Sequence, residues 1–189
     1  YRNPGLEING KEVNFSNGEY GPDIVSNYAL DFITRNREKP FFLYYPMILT
    51  HDPFVPTPDH PDYNDETVKR RGRDPRSFGG MVSYADKIVG RIAGKLDELG
   101  IREKTLLIFL GDNGTHPVVT SQFHGKPYEG GKGKQIQTGT HVPLIASWPQ
   151  TIPAGRVNKD LVDSTDFFPT ICEAAGIRIP RNLPIDGQS

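Results

Sequence analysis

The stretch 81–96 limits what this chain can fold into more than any other. Met81, Tyr84, Ala85, Ile88, Val89, Ile92 and Leu96 recur at helical spacing and make one apolar stripe. Asp86, Lys87, Arg91 and Lys95 are expected to face away from it. Gly100 follows as a helix stop. A short apolar run lies on each side: Phe41-Phe42-Leu43-Tyr44-Tyr45 between Pro40 and Pro46, and Thr105-Leu106-Leu107-Ile108-Phe109-Leu110. Both read as buried strands. A third strand is expected over 142–148. Two more helices are expected. One starts at Pro22-Asp23, carries Ile24, Tyr28, Ala29, Phe32 and Ile33 at helical spacing, and ends at Arg35-Asn36-Arg37. The other covers 164–175 and stops at Gly176. Strands alternating with helices predict an α/β layered fold with a mostly parallel sheet.

All 189 residues are expected in a single domain, with an irregular excursion over 1–22 in which Asn9-Gly10 can turn a small hairpin. No apolar run approaches the roughly 20 residues of a bilayer span. Lys+Arg 22 against Asp+Glu 23 leaves a net charge of −1, which offers no basic face for nucleic acid. Ten Phe, eight Tyr and one Trp are too much apolar bulk for a disordered chain. Gly 20 and Pro 17 together make about a fifth of the residues, against roughly 12% in an average protein. They concentrate in 46–75 and 111–139. The single Cys172 says little about redox compartment and falls on the apolar face of the last helix.

In open α/β sheets, ligands bind beyond the carboxyl ends of the strands. The run 41–45 leads to Thr50-His51-Asp52-Pro53-Phe54, and the run 105–110 leads to Gly111-Asp112-Asn113-Gly114. Gly130-Gly131-Lys132-Gly133-Lys134 precedes the third strand. Asp112 and Asn113 offer hard oxygens suited to Ca²⁺ or Mg²⁺. The same residues also make an ordinary turn between strands. Two ligands leave most of a shell of roughly six to eight oxygens to come from elsewhere. Lys132 lies where small residues leave backbone N–H groups open to an anion, so it can bind sulfate or phosphate; it can equally be a solvated loop lysine. No G-x-x-x-x-G-K-[ST] motif is present. His51 can donate to an anion or act as a general acid, or sit on the surface as a loop histidine. His116, His124 and His141 match no common zinc spacing.

Four ordered blocks resemble the sulfatase family of the alkaline phosphatase superfamily. They are Lys39-Pro40-Phe41-Phe42-Leu43-Tyr44-Tyr45 leading to Thr50-His51-Asp52-Pro53-Phe54; the helix from Tyr84-Ala85-Asp86-Lys87 to Leu99-Gly100; Gly111-Asp112-Asn113-Gly114; and Gly130-Gly131-Lys132-Gly133 followed by Val142-Pro143-Leu144-Ile145 and Trp148-Pro149. Asp163-Ser164-Thr165-Asp166-Phe167-Phe168-Pro169-Thr170 and Asp186-Gly187-Gln188-Ser189 resemble the segments that follow in that family. The resemblance implies an α/β/α layered, alkaline-phosphatase-like fold. It implies a divalent cation, Ca²⁺ before Mg²⁺, held by Asp112 and Asn113, with His51 and Lys132 touching the sulfate or the leaving-group oxygen.

Where many relatives carry Thr-Thr and an Arg before Val-Pro, this chain has Lys134-Gln135 and His141, and no role is carried onto those three. The family's formylglycine, made in a C-x-P-x-R or S-x-P-x-R motif, and its Asp-Asp pair have no counterpart here. The resemblance places both upstream. The chain is therefore expected to be the second half of a catalytic domain, without the C-terminal subdomain and inactive alone. Its expected partners are the remainder of the parent chain and a small-molecule or glycan sulfate ester. The resemblance also implies a periplasmic or secreted location. Two other readings stay open: a phosphodiesterase or phosphonate hydrolase of the same superfamily, and a non-catalytic ion- or glycan-binding module.

Overall fold

The computed structural model describes residues 1–65, 67 and 74–189. Contacts divide them into two compact units, Tyr1–Ile152 and Pro153–Ser189, where the sequence suggests one domain. The chain just after this boundary is exposed coil, with Val157 80% and Leu161 98% accessible, so few contacts tie it to a core.

In the first unit, β1 (Gly5–Ile8) and β2 (Lys11–Asn14) form an antiparallel hairpin with Leu6 opposite Val13. Asn9 and Gly10 both have positive φ, 52° and 76°, as a two-residue type I′ turn requires. Residues 1–22 are thus more ordered than the sequence suggests. Helix α1 (Gly21–Asn36) carries Pro22 in its first turn, where a missing N–H costs nothing, and Asp23 near its positive end. Helix α2 (Phe78–Glu98) buries Met81, Tyr84, Ala85, Ile88, Ile92 and Leu96, as its stripe predicts. It closes in a Schellman motif. Gly100 takes φ +67°, its N–H donates to the Asp97 carbonyl, and Ile101 N–H donates to the Leu96 carbonyl.

The two helices meet over a core of Tyr20, Ile33, Tyr84, Ile88, Ile92 and Leu96. Polar contacts set their rotation. Tyr84 Oη donates to both Asp23 oxygens at 2.9 Å, and Arg91 reaches Ser26 Oγ at 3.1 Å and Asn27 Oδ1 at 2.6 Å. Arg91 therefore faces α1 instead of solvent. The buried face of α1 becomes Pro22, Ser26, Ala29 and Ile33, and Tyr28 is left exposed. Burial, then the Asp23 carboxylate, push the Tyr84 phenol well above its ordinary value and keep it a donor.

Beyond α2 come β3 (Leu107–Leu110), β4 (Thr120–Phe123), β5 (Lys126–Glu129), the single-turn α3 (Gln137–Thr140) and β6 (Leu144–Ser147). β3 pairs with β6 and β4 with β5, both antiparallel. A mostly parallel sheet is thus not what pairs among the described residues. Between β3 and β6 the chain makes a hairpin and one helical turn over 111–143, and the two strands pair antiparallel. Arg102 bonds Ser147, and Trp148 Nε1 donates to the Glu103 carbonyl at 3.0 Å, which clamps the far end of β6. The segment 41–45 carries no ladder. It still alternates like a strand: Phe41, Leu43 and Tyr45 pack on the core, whereas Phe42 and Tyr44 are 68% and 78% exposed. It is buried on one face and not on both.

In the second unit, α4 (Phe167–Ala174) follows a 3₁₀ turn at Ser164–Asp166. Asp163 and Asp166 form a capping box, and the backbone N–H groups they accept hold both carboxyls below their usual range. Gly176, at φ +67°, ends the helix, and Cys172 is buried on it. The long loop expected over 50–75 lies partly outside the described residues. Its described parts include 3₁₀ turns at Pro61–Asn64 and Pro75–Ser77.

Two substitutions in α2 should move stability in opposite directions. Ile88 is fully buried, so Ile88→Ala should cost about 2–5 kcal/mol in denaturant unfolding. Gly94 is exposed, and a Cβ there meets nothing within 4 Å, so Gly94→Ala should add about 0.5–1 kcal/mol.

Candidate functional site

The glycines of 111–139 explain how the site is built. A Cβ on Gly114 would lie 2.0 Å from the Thr138 carbonyl oxygen, and one on Gly130 would lie 2.3 Å from that of His116. On Gly131 it would meet Thr138 Oγ1 at 2.2 Å, and on Gly139 the Lys134 carbonyl oxygen at 2.1 Å. At each point neighbouring backbone comes within 2.8 Å of where a Cβ would stand, so only glycine fits. Hydrogen bonds seal the layers. Gly114 N–H donates to Gly139 O at 2.9 Å, Gly130 N–H to Val119 O at 2.9 Å, and Lys132 N–H to Thr115 O at 3.0 Å. Lys134 N–H goes to Gly131 O at 2.9 Å. These N–H groups are therefore consumed by carbonyls and are not open to an anion as the sequence suggests.

A cavity of about 240 Å³ is lined by His51, Asp112, Asn113 and Lys132, with Thr50, Phe54, Thr115 and His116 among their neighbours. All four residues singled out in the sequence meet there, although 81 positions separate His51 from Lys132. Asp112 and Asn113 sit just past the carboxyl end of β3, where Gly111 N–H donates to Pro143 O at 3.0 Å. Their side chains converge, with Asn113 Nδ2 2.5 Å from Asp112 Oδ2. That contact leaves Asn113 Oδ1 and Asp112 Oδ1 as exposed hard-oxygen donors. The donor type fits a divalent cation such as Ca²⁺, and the number covers only part of its shell. Among the described residues, no group of three or more His, Cys, Asp or Glu side chains is placed to hold a metal.

His51 is anchored at both its backbone and its ring. Tyr1 Oη donates to the Ile48 carbonyl at 3.1 Å and to the His51 carbonyl. Burial and the Asp52 carboxylate push the Tyr1 phenol up, so it remains a donor. His51 Nδ1 lies 2.7 Å from Asp52 O and 3.0 Å from Asp52 Oδ1. With only oxygens facing it, Nδ1 carries a hydrogen, and Nε2 is left for a ligand. The Leu49–Thr50 and Asp52–Pro53 peptide bonds are cis.

The remaining histidines are dispersed. His124 sits in the turn of the β4–β5 hairpin with φ +49°. His141 lines a neighbouring cavity of about 180 Å³ with Ser121, Tyr128 and Thr138. His116 lines the same cavity as His51 and Lys132. Sequence reasoning weighed His116 only as a zinc ligand. Its place in the block that opens with Asp112-Asn113, at the carboxyl end of β3, is the signal that could have found it.

Helices packed beside short strands, with polar side chains gathered where strands end, define an α/β protein with its candidate site at the strand-end loops. Comparison with known proteins narrows this. The sulfatase family model matches residues 5–177. The N-acetylgalactosamine-6-sulfatase of Canis lupus familiaris is 34% identical over 180 residues, covering 93% of this chain and 33% of its own length. The steryl-sulfatase of Homo sapiens is 32% identical over 166 residues, covering 85% and 27%. The crystal structure of Ps i-CgsB in complex with k-i-k-neocarrahexaose superposes with a TM-score of 0.79 at 30% identity, over 98% of this chain and 40% of that one. This chain belongs to the sulfatase family. It spans about a third of the length of these relatives.

Gly114→Ala and Gly130→Ala should each destabilise the protein by about 1–3 kcal/mol or more, because a methyl group must force two backbone segments apart. Thermal unfolding of each variant against wild type checks this; an unchanged melting temperature would refute the close-packed loop.

Proposed function

We propose that this chain is part of a sulfatase that hydrolyses a sulfate ester, of an aryl alcohol or a carbohydrate, at the cavity holding His51, Asp112, Asn113 and Lys132. The convergence of those four side chains carries the reading. A sulfate ester presents anionic oxygens, and the Lys132 ammonium supplies a compact positive charge that makes no ion pair among the described residues. His51, doubly protonated, stays held at Nδ1 by Asp52 and gives its Nε2 proton to the ester oxygen as the S–O bond breaks. The oxygen leaves as the alcohol, and water supplies the oxygen and protons that complete hydrolysis. Asp112 and Asn113 would hold the divalent cation, Ca²⁺ before Mg²⁺, whose charge would offset that of the sulfate. The expected nucleophile is a formylglycine, for which these 189 residues contain no motif.

The likeness to N-acetylgalactosamine-6-sulfatase and to a complex with a neocarrahexaose supports a carbohydrate substrate, and that to steryl-sulfatase supports a hydrophobic alcohol. Exposed Phe42, Tyr44 and Ile145 beside the site strands support the remainder of a longer parent chain as a packing partner. Family resemblance supports a periplasmic or secreted enzyme. No helix among the described residues is long and apolar enough to cross a membrane.

In the parent enzyme, Lys132→Ala and Asp112→Ala should each lower kcat on a sulfate ester by about 10²–10³-fold. His51→Ala should lower it by about 10²–10⁴-fold, less with leaving groups that depart without a proton. Dialysis against a chelator should abolish turnover and Ca²⁺ should restore it. Hydrolysis of phosphate diesters or phosphonates in place of sulfate esters would overturn the reading. The 189 residues alone should show no turnover; metal-dependent hydrolysis of an aryl sulfate by them would show that no upstream nucleophile is needed.

A further inference from the structure

We infer that His116 is a substrate-positioning residue whose neutral Nε2–H donates to an acceptor oxygen of a hydroxylated, sugar-like alcohol portion of the ester; this rests on the sulfatase reading. Three observations carry it. His116 lines the cavity that holds His51 and Lys132. Val118 N–H donates to His116 Nδ1 at 3.1 Å, so Nδ1 carries a lone pair and the proton of the neutral ring is on Nε2. Among the described residues Nε2 has no hydrogen-bond partner, and it is the ring atom left for a ligand.

The ring is also fixed in place. Its plane stands at 83° to that of Phe54, with centroids 6.0 Å apart, and Phe54 is itself held by Phe78 at 5.5 Å and 81°. The His116 carbonyl is pinned under Gly130, where no Cβ fits. A rigid donor in the same cavity as the hydroxyl-bearing Thr50 and Thr115 suits a sugar, which offers hydroxyl oxygens along one edge. A bare aryl sulfate has no oxygen beyond the ester group for this N–H to meet.

Two substrates separate the outcomes. In the parent enzyme, His116→Ala should raise KM for a sulfated hexoside about tenfold, leave kcat within about threefold, and leave an aryl sulfate unaffected. His116→Gln, which returns an N–H donor, should recover most of the loss. Nitrogen NMR of the labelled wild type should show His116 protonated at Nε2 and bare at Nδ1, a readout independent of activity. Equal losses on both substrates, no loss on either, or a proton on Nδ1 would overturn the role given to His116 while the sulfatase reading stands. Wild type that hydrolyses neither sulfate ester would overturn both.

Discussion

Backbone pressed against backbone at four glycines is the constraint on which the candidate site depends. Gly114, Gly130, Gly131 and Gly139 let the turn after β3, the strand leaving the β4–β5 hairpin and the single turn of α3 lie in direct contact. Asp112, Asn113 and Lys132 belong to these layers, so their separation follows from main-chain packing without a long helix or strand between them. Glycine loses more conformational freedom on folding than other residues. The hydrogen bonds from Gly114, Gly130 and Lys132 N–H to carbonyls across the layers offset part of that cost.

The opposite wall is held by different physics. His51 ends a segment whose alternate residues, Phe41, Leu43, Tyr45, Met47 and Leu49, pack on the α1–α2 core. Apolar burial sets the position of that segment, and the Tyr1 phenol then fixes its last turn by bonding the Ile48 and His51 carbonyls. Phe54 joins the two walls. It is 2% exposed, clusters with Met81 of α2 and with Val119, and meets the His116 ring edge-on. A truncation there would loosen both walls at once, though Phe54 carries no polar group.

Features that residues decide for themselves were legible in the sequence. The α2 stripe, the Asn9-Gly10 turn and the glycine stops at Gly100 and Gly176 each follow from local periodicity or local φ, and each forms. The four site residues were legible as polar groups at strand ends, and one cavity gathers them. Features that depend on a partner were not. The direction of β3 against β6 depends on where the long connection over 111–143 returns, and the strand-like run 41–45 has no ladder among the described residues. The side chain of Arg91 faces α1 because Ser26 and Asn27 happen to lie across from it. The glycine-rich loop looked like an anion cradle, yet the Gly130, Lys132 and Lys134 N–H groups close on carbonyls, because composition cannot say which acceptor a donor will meet.

The two cavity imidazoles show how one hydrogen bond can divide two chemical roles. At His51, Nδ1 faces the oxygens of Asp52 and is a donor; at His116, Nδ1 faces the Val118 N–H and is an acceptor. The same side chain is therefore presented to the cavity in opposite states. His51 Nε2 can hold or release a proton while the ring stays anchored by its other nitrogen. His116 Nε2 is committed to donating. In the proposed reading one group must move a proton and another recognise an oxygen, and the neighbours of each Nδ1, Asp52 at His51 and the Val118 N–H at His116, set the two apart.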